Sequence, residues 1–505
     1  MAWRVGSFEL HQHQQAAVEW MMEREQDTEF SGGFLCDEMG LGKTVSTIGL
    51  LAKKPVARTL VLCPLAVVNQ WVLSLLMAGT WAVFELGKGS WSYRGGNPLK
   101  GKVYVTNYDK LLSTPSAFRD GFTRLVCDEA HVLRNKDSRK MLELQGGDFD
   151  HTWFLTGTPI VNHLNDLCSL IGLANPTFNT GMLRASPQGM ADFASRYMLC
   201  RTTEQLRDEL ADILPQAAEV IEHRVPFSTQ DEANFYRGIQ GVLSERLNAL
   251  LDDENPDMLL ILKLLLRLRQ ISVHPQVYIQ SKRRESNRYR REDWTGDSTK
   301  TEAILNILRR ERIGHGYVIF CNFRDEIDLL AARLKREDCV GELFTYTGDM
   351  TTPARVHAVE QTKTSVVGCE MTPSQLDTIL QMNKRLPLLP MELVEHINGF
   401  IGGKHTVLLA QIHCAGTGIN LQHMDRVIFT TPWWTAALMD QAAGRVLRLG
   451  QKKRVVIHHV SLEEEMNVSL NIDDYINERV TQKRSLCKSV LDAANHRLYP
   501  VVAAN

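Results

Sequence analysis

The sequence predicts an α/β fold in two halves, each built on its own mostly parallel sheet. Three observations carry this. Short apolar segments of strand length recur between 34 and 155, with helix-compatible stretches between some of them, and recur again from 317 to 460. A Gly-rich turn follows the first of these segments directly. Between the halves, from about 183 to 300, strand-like segments give way to helical ones. Alternation of this kind argues for parallel strands covered on both faces. A chain of 505 residues, 44% hydrophobic, holds two or three cores rather than one.

In the first half, FLC (34–36), TLVLC (59–63), KVYVT (102–106), RLVC (124–127) and TWFL (152–155) are the strand candidates. In the middle, SERLNAL and DMLLILKLLLRLRQI (257–271) have helical character, the second with mixed apolar and basic faces. SKRRESNRYRRED (281–293) follows, with six Lys or Arg against one Glu between 282 and 291, and reads equally as a nucleic-acid contact or a solvated loop. In the second half, YVIF (317–320), ELFTY (342–346), TVLLA (406–410), RVIFT (426–430) and VVIHHV (455–460) are the strand candidates. No internal repeat is evident.

The net charge of −2 supplies no whole-chain basic signal, although a cleft can confine positive charge locally. The ten cysteines form no CxxC pair, which argues against a zinc site. Several sit in apolar runs, as buried thiols do, and fit a reducing compartment. The start, MAWRVGSFEL, lacks a secretory pattern, and no apolar run reaches membrane-spanning length.

The strongest local feature is DEMGLGKT at 37–44. Gly40 and Gly42 let backbone N–H groups face a phosphate, and the following helix adds its own unpaired N–H groups. Lys43 is placed to reach the β and γ phosphates, and Thr44 to hold Mg2+ through its hydroxyl. The usual loop begins with Gly where this chain has Asp37, so only a looser GxGKT remains. DEAH at 128–131 ends a strand; Asp128 is placed to hold the metal and Glu129 to polarise the attacking water. His131 reads either as packing or as coupling between the nucleotide and the far side of the cleft. In LTGTPI (155–160), Thr156 and Thr158 are coupling candidates beside an ordinary strand-to-turn role for Gly157 and Pro159. Gln14, at the head of a helix, offers the acceptor and donors that suit the adenine edge.

The second half offers GTGINLQHMDRVIFTTPWW (416–434), read as a Gly-rich loop, a helix-like step and a strand, and QAAGRVLRLGQ at 441–451. Arg445 and Arg448, three apart, are expected on one helical face, where they would serve as mobile donors to charge developing on a γ-phosphate.

In this order the segments resemble the SNF2-type branch of superfamily 2 helicase-like ATPases, from about residue 8 to 490. ELHQHQ…W, DEMGLGKT, TLVLCPLAVVNQW, VTNYD, DEAH, LTGTPI, RLRQISVHP, STK (298–300), YVIFCNF, YTGDM…R, LLAQIHCAGTGINLQ and DQAAGRVLRLGQ each resemble a family segment. The resemblance implies tandem RecA-like lobes with helical protrusions, and ATP with Mg2+ as cofactors. Gly416 and Gly418 join Gln14, Gly40, Gly42, Lys43 and Thr44 as nucleotide contacts. Gln441 joins the coupling residues. Asn69, Trp71, Thr106, Tyr108, Arg355 and Thr417 fall in segments that face nucleic acid in the family. The implied division is 1–200 for the first lobe, 201–297 for protrusions and linker, 298–465 for the second lobe, with an insertion at about 361–398, and 466–505 for a brace helix and tail.

The resemblance implies an ATP-dependent translocase on double-stranded DNA that hydrolyses ATP where the lobes meet and remodels DNA or protein–DNA complexes. A strand-separating DNA or RNA helicase shares that engine. A switch acting on protein partners without nucleic acid, or a binding module on an inactive fold, are the other classes, and the intact Lys43, Asp128, Glu129, Arg445 and Arg448 argue against the last. Thr435 and Ala436 stand where related sequences carry Asn and Pro, which implies altered coupling. No chromatin-reading domain is expected within the chain. The expected form is a compact monomeric motor, recruited by protein partners, in an intracellular, nuclear or viral-replication setting.

Overall fold

The computed structural model describes residues 3–482, apart from 88, 98–100, 119–120, 161–162, 212–215, 252–256, 312–313, 366–377, 379, 385–390, 392–393, 395–403, 416–418, 449 and 464–470. The chain divides into one unit of Met1–Leu214 with Gln482–Asn505 and a second of Pro215–Thr481. Of the expected insertion at 361–398 the structure describes 361–365, 378, 380–384, 391 and 394, and of the expected brace helix and tail at 466–505 it describes 471–482.

In the first unit, β1 (Trp3–Val5) and β2 (Phe8–Leu10) form a small hairpin. The main sheet holds β3 (Gly32–Leu35), β4 (Arg58–Cys63), β5 (Ala82–Leu86), β6 (Trp91–Gly96), β7 (Lys102–Asn107), β8 (Arg124–Asp128), β9 (His151–Leu155) and β10 (Met198–Leu199). Its order is β10-β3-β9-β8-β4-β7-β5-β6, parallel except for the last pair. Strand side chains alternate between two cores. Leu60, Leu62, Leu125, Cys127 and Phe154 enter one, and Val61, Val105, Val126, Trp153 and Leu155 the other. A strand buried on both faces reads as a continuous apolar run, which is why TLVLC and RLVC stand out in the sequence. Each such fully buried side chain stabilises by roughly 1.5–3 kcal/mol.

The second unit repeats the arrangement. β11 (Glu219–Val225), β12 (Gly316–Cys321), β13 (Val340–Tyr346), β14 (His405–Gln411), β15 (Arg426–Phe429) and β16 (Val456–Leu462) form an all-parallel sheet in the order β11-β16-β15-β12-β14-β13. Val318, Phe320, Leu408 and Val427 line one core; Tyr317, Ile319, Leu409 and Ile428 line the other. All ten strand candidates are strands. The stretch after 183 is not wholly helical, because β11 pairs with β16 in register from Glu219↔Val456 to Val225↔Leu462. As a half-exposed edge strand, EVIEHRV lacks the apolar run that marks its neighbours.

STK is a structural joint. Ser298 caps the helix Thr299–Arg310, and its hydroxyl also reaches Val273 O at 2.9 Å. Thr299 bonds Glu232. Lys300 pairs with the fully buried Asp473 at 2.6 Å, and Asp473 also accepts from Thr431 and from the Leu462 amide. The helical run 472–482 is thereby pinned to the sheet, with Ile472, Ile476 and Val480 packed against Leu264, Leu265 and Leu268. Among the described residues, no helix is long and apolar enough to cross a membrane and no cluster could hold a structural metal. Six of the eight described cysteines are buried, and none of the eight is in a disulfide.

Candidate nucleotide site

β3, β9 and β8 lie side by side and run parallel, so their C-terminal ends share one edge of the first sheet. DEMGLGKT, LTGTPI and DEAH leave the sheet from that edge. In open parallel sheets this edge is where ligands bind. The Thr156 amide donates to Leu35 O at 3.2 Å, tying the second segment to the first. A Cβ on Gly157 would lie 4.0 Å from Lys43 Nζ. Thr156 is buried, and its hydroxyl accepts from the Thr158 amide.

Gly40 and Gly42 both have positive φ, +95° and +82°. Gly42 precedes the eleven-residue helix Lys43–Lys53, whose first turn carries no acidic residue. Unpaired N–H groups and the helix dipole at such an end suit an anion. Ser46, in this turn, has a buried hydroxyl with no hydrogen-bond partner. Lys43 Nζ donates to Asp37 O at 2.6 Å, within its own loop. These residues fit a nucleotide's phosphates, with Thr44 half-buried in the first turn of the helix.

The departure at Asp37 has a structural reason. Asp37 is fully buried and takes a bidentate contact from Arg201, which also reaches His13 O. Residues 199–203 then strap the loop, through Cys36 N to Leu199 O and Glu38 N to Arg201 O, at 2.7 and 2.8 Å. His13, 1% exposed, contacts Glu209 through Nδ1 and Leu41 O through Nε2, each at 2.9 Å. Nothing in the spacing of the sequence announces Leu199, Arg201 or Glu209, which lie more than 150 positions from the loop.

Gln14 is buried too. Its Oε1 accepts from the His11 amide and its Nε2 donates to Leu41 O. Each end keeps one further position, the second amide hydrogen and second lone pair, so an adenine edge still fits the group. A Cβ on Gly42 would stand 2.4 Å from Gln14 Nε2, whereas one on Gly40 meets nothing within 4 Å. An alanine at either position would carry the left-handed backbone penalty of roughly 1–2 kcal/mol that glycine escapes. Gly42→Ala is therefore expected to lower Tm and nucleotide affinity clearly more than Gly40→Ala; equal losses in differential scanning fluorimetry and nucleotide titration would contradict the Gln14 contact.

At DEAH, Asp128 Oδ1 accepts from the Glu129 amide at 3.0 Å, and Oδ2 accepts from Trp71 Nε1 at 2.7 Å. Burial first, then the Glu129 charge, pushes the Asp128 carboxyl up to about 6, against the pull of Trp71 and Lys43. Such a carboxylate is the kind of group a divalent cation relieves. Glu129 has φ +51°, the one non-glycine with positive φ among the described residues. Strain of this kind persists where surrounding contacts hold it. His131 Nδ1 lies 3.4 Å from Glu129 Oε2, and burial holds the imidazole below its ordinary value.

Burial corrects three of the expected nucleic-acid contacts. Trp71, Thr106 and Tyr108 are 1%, 1% and 3% exposed, so none presents a surface to a track. Tyr108 OH donates to Asp128 O at 2.7 Å, and Trp71 holds the Asp128 side chain. Asn69 is exposed. Arg355 is half-buried and closes the turn after β13, donating to Thr347 O and Gly348 O at 3.0 and 2.6 Å. Gly416, Thr417 and Gly418 lie outside the described residues.

In the second unit, the helix Ala436–Ala443 ends before the two arginines, which corrects the expected shared helical face. Gly444 follows the last helical residue, and the backbone tightens to shorter bonds, Arg445 N to Ala442 O and Val446 N to Ala443 O. Arg445 is buried; Arg448 is half-buried, donates to Gly444 O at 3.0 Å, and is pushed down to about 10 by burial and then by Arg445. Gln441 is half-buried on the helix.

The basic run 281–293 is largely spent on local partners. Glu285 takes Lys263, Arg267 and Lys282, which draw its carboxyl down to about 2. Arg283 pairs with Asp293, Arg284 with Asp325, and Arg291 lies over the Phe235 ring. Residues 281–285 thus end the helix Pro275–Glu285 rather than forming a loop, and four of the six cations of the run are held by neighbouring side chains.

Residues 13–277 match the SNF2-related domain, and 388–450 match the helicase conserved C-terminal domain. The chain is 25% identical over 510 residues to the probable global transactivator of Orgyia pseudotsugata multicapsid polyhedrosis virus, covering 96% of this chain and 91% of that one. It is 24% identical to the DNA repair protein rhp54 of Schizosaccharomyces pombe, over 92% of this chain and 56% of that one. An uncharacterised ATP-dependent helicase of Mycoplasma genitalium is 24% identical, and the chain spans 42% of its length. Among solved structures, the Sulfolobus solfataricus SWI2/SNF2 ATPase core in complex with dsDNA aligns over 98% of this chain and 95% of that chain, at 23% identity and a TM-score of 0.39. With more than half of its length matched by the SNF2-related domain, the chain belongs to the SNF2-related family of helicase-like ATPases.

Proposed function

We propose that the chain is an ATP-driven translocase on duplex DNA. The observation that carries the reading is the meeting of DEMGLGKT, LTGTPI and DEAH on one edge of three adjacent parallel strands. Lys43 and the loop amides bind phosphate, Thr44 and Asp128 hold Mg2+, and Glu129 orients the water. Gln14 reads adenine. Thr156, Thr158, His131 and Gln441 relay the nucleotide state. Arg445 and Arg448 supply positive charge to the γ-phosphate, a role that rests on the motif that holds them. Asn69, at the exposed head of the helix Val68–Ala78, remains a track contact. Family membership, and relatives whose names place them in DNA repair, favour DNA and a nuclear or viral-replication setting.

The test is the ATPase rate with no nucleic acid, single-stranded DNA, duplex DNA and duplex RNA in parallel. Strong stimulation by duplex DNA alone is expected, together with displacement of a triplex-forming strand from a duplex that stays paired. Equal rates in all four would overturn the track; unwinding of the duplex would replace translocase with helicase.

A further inference from the structure

Two segments leave the first sheet beside DEAH and converge on Asp128 with buried donors. The helix Val68–Ala78 follows β4, and its Trp71 sends an indole N–H to Asp128 Oδ2 at 2.7 Å. Residue 108 follows β7, and the Tyr108 hydroxyl donates to Asp128 O at 2.7 Å. β4 pairs with both β7 and β8, so these donors come from the two nearest strands on that side. Trp71 is 1% exposed and packed among Val61, Val68, Val72 and Leu75 in the core, so the indole has little freedom to turn away. Its two predecessors, Asn69 and Gln70, are both exposed.

A carboxylate offers about four lone-pair positions. Trp71 and the Glu129 amide occupy one on each oxygen of Asp128, which sets the plane of the group and leaves the others for a cation. Donors that orient a metal-binding carboxylate govern its affinity without touching the metal. We propose that Trp71 is a positioning residue for Asp128: its indole N–H aims the carboxylate at Mg2+, and the exposed head of its helix lets a bound track alter that aim. The proposal rests on the nucleotide-site reading for its first part and on the track reading for its second. A hydrogen bond of this length between a rigid core side chain and an ionised group is a short mechanical path, one residue deep, from surface to site.

The test is Trp71→Phe in the full chain, which keeps an aromatic ring and removes the N–H. Binding of a fluorescent ADP analogue is titrated with and without Mg2+, in the absence of DNA. The Mg2+ half-saturation is expected to rise by about tenfold or more, with Mg2+-free ADP affinity and Tm close to the parent. A half-saturation within twofold of the parent would overturn the positioning role. If Trp71→Phe lowers Tm, benzothienylalanine installed at 71 alone preserves the indole shape, replaces N–H by sulfur, and is judged by the same two outcomes. Duplex DNA is then added to both proteins. It is expected to shift the Mg2+ half-saturation of the parent and not that of Trp71→Phe. An equal shift in both would overturn the relay. No shift in the parent would count against the relay and the track reading together, and would leave the DNA-free result standing.

Discussion

Glu129→Gln is expected to slow ATP hydrolysis by about 10²–10⁴-fold, the range a positioned general base contributes, while nucleotide affinity stays near that of the parent. Glutamine keeps the shape and loses only the ability to draw on a proton. The backbone at 129 sits at φ +51°, a conformation that must be held from outside the residue. The holding contacts are visible: Tyr108 grips Asp128 O, and the Asp128 carboxylate grips the Glu129 amide. The substitution touches neither, so Tm is expected to move little. His131 lies 3.4 Å away, yet burial keeps it neutral near pH 7, so it does not discharge the carboxylate beforehand. The measurement is single-turnover hydrolysis beside equilibrium binding of the same nucleotide. Hydrolysis at more than half the parent rate, with nucleotide bound, would remove Glu129 from the role.

The parts of this site that were legible in the sequence are those where local chain and chemistry coincide. A strand, a Gly-rich turn and a helix must be contiguous to make a phosphate loop, so Gly40, Gly42 and Lys43 announce themselves. The same holds for Asp128 at the end of RLVC. The strands were legible for a related reason: burial on both faces writes an uninterrupted apolar run into β4, β8 and β12. What stayed hidden depends on contacts between distant positions. Asp37 departs from the loop pattern because Arg201, 164 positions later, requires a carboxylate there. Trp71 and Tyr108 fall in segments that resemble a track-facing surface, and only the fold reveals that both side chains turn inward to Asp128. β6 was hidden because Gly95 and Gly96 end it like a loop, and β11 because its half-exposed face is polar.

The largest stability effect is expected at the opposite edge of the same sheet. Arg124, at the start of β8, and Glu25, after the helix Gln12–Arg24, are both fully buried and bonded at 2.6 and 2.7 Å. The Trp153 indole adds a third bond to Glu25 at 3.0 Å, and Arg124 also donates to Lys54 O. Arg124→Met is expected to cost about 3–5 kcal/mol, because it leaves a fully buried carboxylate with only the partly exposed Lys54, 3.5 Å away, as a paired cation, rather than because the Arg124 pair is itself worth that much. The urea midpoint of the full chain is the measure. Glu25→Met combined with Arg124→Met removes both charges and is expected to recover part of the loss. Recovery should be incomplete, since the Trp153 N–H then lacks its acceptor, a cost of about 1–3 kcal/mol. The pH dependence separates charge from packing. Burial alone would raise the Glu25 carboxyl; the Arg124 hydrogen bond and charge, then Trp153 and His151, outweigh it and hold the group below 4.5. A depressed carboxyl contributes stability that is present above its unfolded value and fades as pH falls toward the folded one. In Arg124→Met burial prevails, the folded value rises above 4.5, and this group's contribution reverses sign, growing as pH falls. The deficit of Arg124→Met against the parent is therefore expected to be greatest near pH 7.5 and to narrow toward pH 5. A deficit that is constant over that range would mean that lost packing, and not the stranded charge, sets the cost.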